Sequence, residues 1–384
     1  MLRALLVCLV IPGWVACGGE SDDLARGLTI TEVTLLQGPQ IPLIRNGEQV
    51  LVRTAPVLGG RRGQIVVGIA NAEGAEARDV TVRVELTDRA TQQTTTLEEV
   101  ATIAGGPTNV VATTLPFDAS TLHPDLAFAV SIHERGGFES SQEVLLGARQ
   151  PEAGSYPLDV RAAPTFRVVI VPMGTPGPSV TQEMMDRWSA TLHAWLPVAA
   201  IEMTLAAPLP SSLDLGNEMN WGLLLGKLAA WRASAGLDPD VFAYALVNPP
   251  PLGTIGGIAA SLAVDSPYWR VAAGIDTTDT EEATIVVHEL GHALGRSHAP
   301  CGDPGGPDLV YPYPGASIGV PGIDLRDDQL RDPASYLDYM SYCLPVFVSD
   351  YGYAAAFRSL EALRDRAAHT TTEPGFVVDP RWTP

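Results

Sequence analysis

Basic residues are scarce in this chain. Lys and Arg total 24 against 44 acidic residues, giving a formal charge of −20. Such a field repels nucleic-acid phosphates and anionic lipid headgroups, which argues against both as partners. Long apolar runs are also lacking. Beyond the first fifteen residues, no stretch is long and apolar enough to cross a bilayer. Cysteine is nearly absent, with four in 384 residues and none between Cys17 and Cys301. Histidine is rare as well, at seven. No internal repeat or low-complexity tract stands out. What remains is 46% apolar and 18% charged, the composition of a globular chain, and long enough for two domains with separate cores.

The N-terminus, "MLRALLVCLVIPGWVACGGESDD", reads as a targeting segment. Arg3 is a short basic start, and Ala4 to Val15 form an apolar core too short for a spanning helix. Residues 1–17 are therefore expected to be a signal peptide, with cleavage at Ala16. Cys17 and the small, acidic run after it resemble a bacterial lipoprotein signal, which implies lipidation at Cys17 and a flexible tether over 18–27. Trp14 stands where that signal usually has an aliphatic residue, and simple secretion is the alternative. Either way the protein is expected to be exported, to the outer membrane or cell surface of a bacterium or beyond it. Membrane contact would come only through the lipid. Export leaves Cys301 and Cys343 as a disulfide pair, closing a loop worth roughly 4 kcal/mol in the chain-entropy model. Two unrelated buried thiols are the other option.

Residues 28–150 read as an antiparallel β-sandwich of immunoglobulin-like type. In "DVTVRVELT", Val80, Val82, Val84 and Leu86 alternate with Thr81, Arg83 and Glu85. Further β-rich runs are separated by turn clusters such as "GGRRG" and "AGGPTN". His123 and His133 are expected to be ordinary surface or strand histidines. The Gly- and Pro-rich segment 147–164 is expected to contain the domain boundary. From 158 to 384 the pattern changes to alternating strands and helices, an α/β domain. "TFRVVIVPM" and "DVFAYALVN" read as strands, and "TIGGIAASLAV" as a run along a sheet edge. One helix carries Met184, Trp188, Leu192 and Leu196 on one face, with His193 packed or half-exposed beside them.

The stretch "HELGHALGRSHAPC" (His288 to Cys301) holds three of the seven histidines. A helix is expected to start near Thr278 with Glu281, or Asp279 with Glu282, as a capping box. His288 and His292 are then i and i+4 and present both imidazoles to one point. Gly295 can adopt the left-handed turn that ends the helix and brings His298 round as a third ligand. Three nitrogens leave a fourth zinc position for water, the arrangement of a catalytic site. Zinc lowers the pKa of that water to about 7, and Glu289 stands beside His288 to take its proton and pass it to a leaving amine.

"HELGHALGRSH" resembles the signature of the metzincin zinc endopeptidases, HExxHxxGxxH followed downstream by a methionine turn. Two further stretches, "YPYPGASIGVPGID" and "MSYCLPVFVSDYGY", are similar to bacterial secreted members of that clan. The resemblance implies a metzincin-like zincin domain with one catalytic zinc on His288, His292 and His298, and Glu289 as general base. It makes Met340 in "YLDYMSYC" the Met-turn floor under the metal. Tyr342 matches a tyrosine that in some members reaches the metal or donates to the oxyanion; a tyrosine of the pocket wall is the plainer alternative. A Cys301–Cys343 bridge would tie the third histidine to the Met-turn. Ala299 stands where better-known subfamilies carry Asp, Glu, Ser or Pro. The acidic "DLRDDQLRD" (Asp324 to Asp332) is either a calcium loop or a solvated one, and it lacks EF-hand spacing.

The expected function is a monomeric zinc endopeptidase acting on extracellular proteins or peptides. The β domain would shield the cleft, bind substrate or act as a spacer. Residues setting specificity are expected between Gly302 and Pro345. Two other functions compete: a surface adhesion lipoprotein with a vestigial zinc domain, and a zinc hydrolase acting on a non-peptide amide.

Overall fold

The computed structural model describes residues 23–370, apart from 137, 139–140, 251–254, 261–265 and 278–280. The signal segment, Cys17 and the first residue of each proposed capping box lie outside the described residues. Among those described, no helix is long and apolar enough to cross a membrane.

The chain is rich in β-structure and has several sheets. In the first half, β1 (Leu28–Leu36), β2 (Gln40–Arg45), β3 (Gly63–Asn71) and β6 (Val110–Phe117) form one antiparallel sheet, in the order β2-β1-β3-β6. A second antiparallel sheet sets β4 (Arg78–Asp88) between β5 (Thr94–Ile103) and β7 (Leu126–Glu134). The alternation in β4 places Val80, Val82, Val84 and Leu86 inward, all essentially inaccessible to water. They share one hydrophobic cluster with Val33 and Leu35 of β1 and Val67 of β3, so burial between sheets holds this half together.

Both edges of this half extend further than expected. The described end of the expected tether is already folded: Ala25 is fully buried, and its N–H donates to the Ile132 carbonyl at 2.8 Å. The expected linker is likewise built in. Arg149–Gln150 and Tyr156–Pro157 pair with β7, and Val160–Ala162 runs parallel to Val57–Gly59. Unpaired N–H and C=O groups of β7 and of Val57–Gly59 would otherwise face solvent, and these short pieces satisfy them.

The second half is built on a mixed sheet. β8 (Thr165–Met173) pairs in parallel with β9 (Ala200–Leu205) and with β10 (Val241–Val247). β10 pairs in parallel with β12 (Val271–Ile275), and β11 (Gly257–Ala259) closes the edge antiparallel to β12. Helices cover both faces. α1 (Gln182–Trp195) and α3 (Glu281–Ala293) pack with Phe166, Val168, Tyr244 and Leu246. α2 (Met219–Ser234) packs on Val171, Ala243, Ala245 and Ala273. The buried stripe of α1 runs through Met185, Trp188 and Leu192, with Met184 half-buried. α4 (Asp350–Thr370) ends the described chain.

Arg61 joins the two halves. It is fully buried, and its guanidinium donates to the carbonyls of Ala194 (2.8 Å), Leu196 (3.2 Å) and Val198 (3.0 Å) while Nε donates to Gln37 (2.8 Å). The last turn of α1 leaves carbonyls without helical partners, and a planar cation with five donors suits them. Backbone bonds from Ile323 to Gly38 (2.7 Å) and from Gln40 to Pro321 (2.8 Å) complete the seam.

Candidate metal centre

α3 is held in place by Val286, Val287, Leu290 and Ala293, all fully buried. That leaves His288 and His292 one turn apart at the helix end. Gly295 has φ +79°, the left-handed conformation expected of it, and its N–H donates to the His292 carbonyl at 2.8 Å. The chain then turns back, and His298 is fixed by a bond from Asp308 N–H to its carbonyl (2.8 Å). Asp308 is itself held by the Tyr351 hydroxyl at 2.8 Å.

The three histidines come together. One nitrogen from each lies within 4.8 Å of the other two. Nε2 of His292 and Nε2 of His298 are 3.0 Å apart. Each Nδ1 meets a backbone carbonyl: Tyr339 at 2.8 Å for His288, Arg296 at 2.6 Å for His292, and Gly305 at 2.6 Å for His298. A carbonyl only accepts, so each Nδ1 must carry the hydrogen and each Nε2 keeps its lone pair. Burial lowers His288 to about 4 and His292 to about 3, which keeps the rings neutral. Three Nε2 atoms converging on one point suit a cation. Two nitrogens on a tetrahedral zinc stand about 3.3 Å apart, close to the separation found. The donor set therefore fits zinc, as would any borderline metal that takes imidazoles.

The turn around Met340 lies against the histidine helix: the Tyr339 carbonyl meets His288, and the Met340 side chain faces Gly291. Met340 is buried, and its carbonyl accepts from Ala299 N–H at 3.0 Å. Tyr342 N–H donates to the Cys301 carbonyl at 3.1 Å, and Cys301 and Cys343 form a disulfide with Cα atoms 5.7 Å apart. The stretch after the third histidine is thus laced to the turn by backbone and covalent bonds. Gly291 makes this closeness possible: a Cβ there would stand 2.5 Å from Met340 Sδ and 2.9 Å from Tyr339 Cε2. Asp338 holds the turn from below, accepting from Met340 N–H (2.8 Å), Ser349 N–H (3.2 Å) and the Ser349 hydroxyl.

Glu289 lies beside the histidines in a largely apolar setting, and burial raises its carboxyl to about 8. Two cavities meet at it. One, of about 380 Å³, is lined by His292, His298, Arg296 and the Gly305–Gly306 backbone. The other, of about 520 Å³, is lined by Ile255, Ile258, Thr284, Ile285, His288 and Ser341. Tyr342 borders both. It is 57% exposed, with its ring centroid 4.8 Å from that of His298 and 5.9 Å from that of His288.

Residues 255–258 and α3 supply most of the apolar cavity wall, joined by Ser341 and Tyr342 from the 302–345 stretch expected to set specificity. No residue of the first half lines either cavity, so the described β domain does not cover this cleft. Of the two expectations for the acidic loop, the solvated one holds: Asp327, Asp328 and Asp332 are exposed, and Asp324 at its start is buried. Asp324 is bonded to Arg326 (2.7 Å) and Arg331 (3.0 Å), Asp327 to Arg331 (2.5 Å), and Asp328 to Arg62 (2.8 Å). Oxygens that calcium would need are already committed to guanidinium groups. His133 is a buried strand residue within 2.8 Å of the Ser131 hydroxyl, and His123 is exposed.

Comparisons with known proteins add little. No family model matches the chain, and no curated protein matches it. Among solved structures, one titled "Structure of a chaperone-substrate complex" is 11% identical over 69% of this chain, with a TM-score of 0.31. A glycosyl hydrolase family 2 member from Bacteroides cellulosilyticus is 14% identical over 70%, with a TM-score of 0.18. The chain spans 38% of the first and 35% of the second. Likenesses this slight say nothing about either the fold or the chemistry of this chain.

Proposed function

We propose that this protein is an exported zinc endopeptidase of metzincin type, lipid-anchored through Cys17 and acting as a monomer on extracellular proteins or peptides. One observation carries the reading: three imidazoles, each with its hydrogen directed to a backbone carbonyl, point their free nitrogens at one place beside a buried glutamate and an open cleft. His288, His292 and His298 would hold the ion. When bound, zinc would supply Lewis acidity, polarising a carbonyl and acidifying a water.

The chain's own groups do the rest. Glu289 is buried and would be neutral on its own; a divalent charge nearby favours its anion, so the same residue can accept a proton and later return it to the leaving amine. Tyr342 borders both cavities and is placed to flank the reacting carbonyl. The apolar cavity of Ile255, Ile258 and Ile285 suits a large apolar side chain next to the scissile bond. The absence of first-half residues from the cleft favours a spacer or substrate-binding role for the β domain.

The test is to purify the mature chain, measure bound zinc, and compare casein cleavage with that of Glu289→Ala. One zinc per chain in both, with cleavage only in the unaltered protein, is expected. Equal cleavage by both proteins would remove the mechanism.

A further inference from the structure

Tyr244 is a buried polar group that the proposed chemistry does not use. It lies in β10, is fully buried, and its hydroxyl has no hydrogen-bond partner among the described residues. A buried hydroxyl without a partner is unfavourable and calls for an explanation. Tyr244 belongs to the cluster packed with α1 and α3, so it is on the same face of the sheet as Glu289.

Two glycines show where its hydroxyl stands. Gly257 of β11 and Gly274 of β12 are direct antiparallel partners. A Cβ on Gly257 would lie 2.6 Å from Cγ and Oε1 of Glu289, and a Cβ on Gly274 would lie 2.0 Å from the Tyr244 hydroxyl. Cβ positions of such partners are about 4.5–5.5 Å apart. The paired glycines thus form a bare floor, with the carboxyl of Glu289 over one and the phenol of Tyr244 over the other. Any other residue at either place would occupy the space of the group above it.

We propose that Tyr244 is a positioning residue for Glu289: its hydroxyl, set beside the carboxylate by Gly257 and Gly274, donates to one carboxylate oxygen and turns the other toward the cleft. This rests on the proposed role of Glu289 as the proton acceptor. The bond is not made in the structure, and since Tyr244 is fully buried it would form through rotation about the terminal torsions of Glu289. Glu282, two turns away on α3, is the competing carboxylate: its Oε2 accepts from Trp188 Nε1 at 3.2 Å and its Oε1 has no partner among the described residues. Glu289 is the carboxylate that acts more strongly on the Tyr244 phenol.

The experiment uses the full mature chain, zinc-loaded, as the unaltered protein, Tyr244→Phe, Glu289→Gln and the double variant. Turnover is followed with a quenched fluorescent peptide, and thermal unfolding with the same zinc-loaded samples. Tyr244→Phe should lower kcat on the order of tenfold, the loss of one hydrogen bond to a charged group, with KM and bound zinc unchanged. In the Glu289→Gln background it should cost nothing further, and the melting shifts of the two substitutions should not add. Gly257→Ala, which displaces the carboxyl without touching the phenol, should lower kcat in the same way. An unchanged kcat in Tyr244→Phe with additive melting shifts overturns the inference and leaves the zinc site standing. If the unaltered chain neither binds zinc nor cleaves the peptide, both fall together.

Discussion

Gly291 sits between the two helical histidines and offers a sharp perturbation. Replacing a helix-interior glycine by alanine ordinarily stabilises by about 1 kcal/mol, through backbone entropy. Here the new methyl would stand 2.5 Å from Met340 Sδ and 2.9 and 3.1 Å from Cε2 and the hydroxyl of Tyr339. Both neighbours are buried, and the Met340 backbone is fixed by Ala299 and Asp338. Overpacking of this kind costs about 1–3 kcal/mol, so after the propensity gain the net loss is up to about 2 kcal/mol. A second effect follows from the first. The Tyr339 carbonyl orients His288, so a displaced turn also loosens the metal. Gly291→Ala should therefore unfold at lower urea and bind zinc more weakly in a chelator competition. Adding Met340→Ala, which makes room for the methyl, should recover part of the zinc affinity. A more stable Gly291→Ala protein with unaltered zinc affinity would refute the close packing of helix and turn.

Two further outcomes follow from groups away from the zinc ligands. The Cys301–Cys343 bridge closes a loop with a sequence separation of 42, so reducing it should cost about 4 kcal/mol of unfolding free energy, read by urea titration with and without dithiothreitol; an unchanged midpoint would contradict it. Burial and the nearby Arg61 lower His193 to about 4, so below pH 6.5 the unfolded chain takes up a proton that the folded chain refuses. Stability due to this residue is complete above pH 6.5 and is lost as pH falls toward 4, by about 3 kcal/mol. His193→Gln should flatten that part of the stability profile, and a profile identical to that of the unaltered chain would show that His193 does not report burial.

What could be read from the sequence was whatever depends on local spacing. The i, i+4 histidines, the left-handed Gly295 and the alternation in β4 all follow from single-segment geometry, and the structure has each of them. The Cys301–Cys343 pairing followed from counting. Groups assembled from distant segments were not legible. Carbonyls that orient the histidines belong to residues of any type, so Tyr339 and Gly305 carried no signal. Tyr244, Gly257 and Gly274 come from three different strands and meet only in the folded sheet. Arg61 looked like one more cation in a turn, yet it spans the seam and caps α1. The acidic loop reads as solvated, and Asp327, Asp328 and Asp332 are exposed; what carried no signal is Arg62, a partner of Asp328 from the other half.

The most direct test of the account is X-ray absorption at the zinc edge on the purified chain, with His298→Ala alongside. The account predicts one zinc per chain bound by three imidazole nitrogens at about 2.0–2.1 Å, with one imidazole fewer and weaker binding in the variant. Zinc bound equally well, with an identical spectrum, in both proteins would contradict the central claim that His288, His292 and His298 form its site.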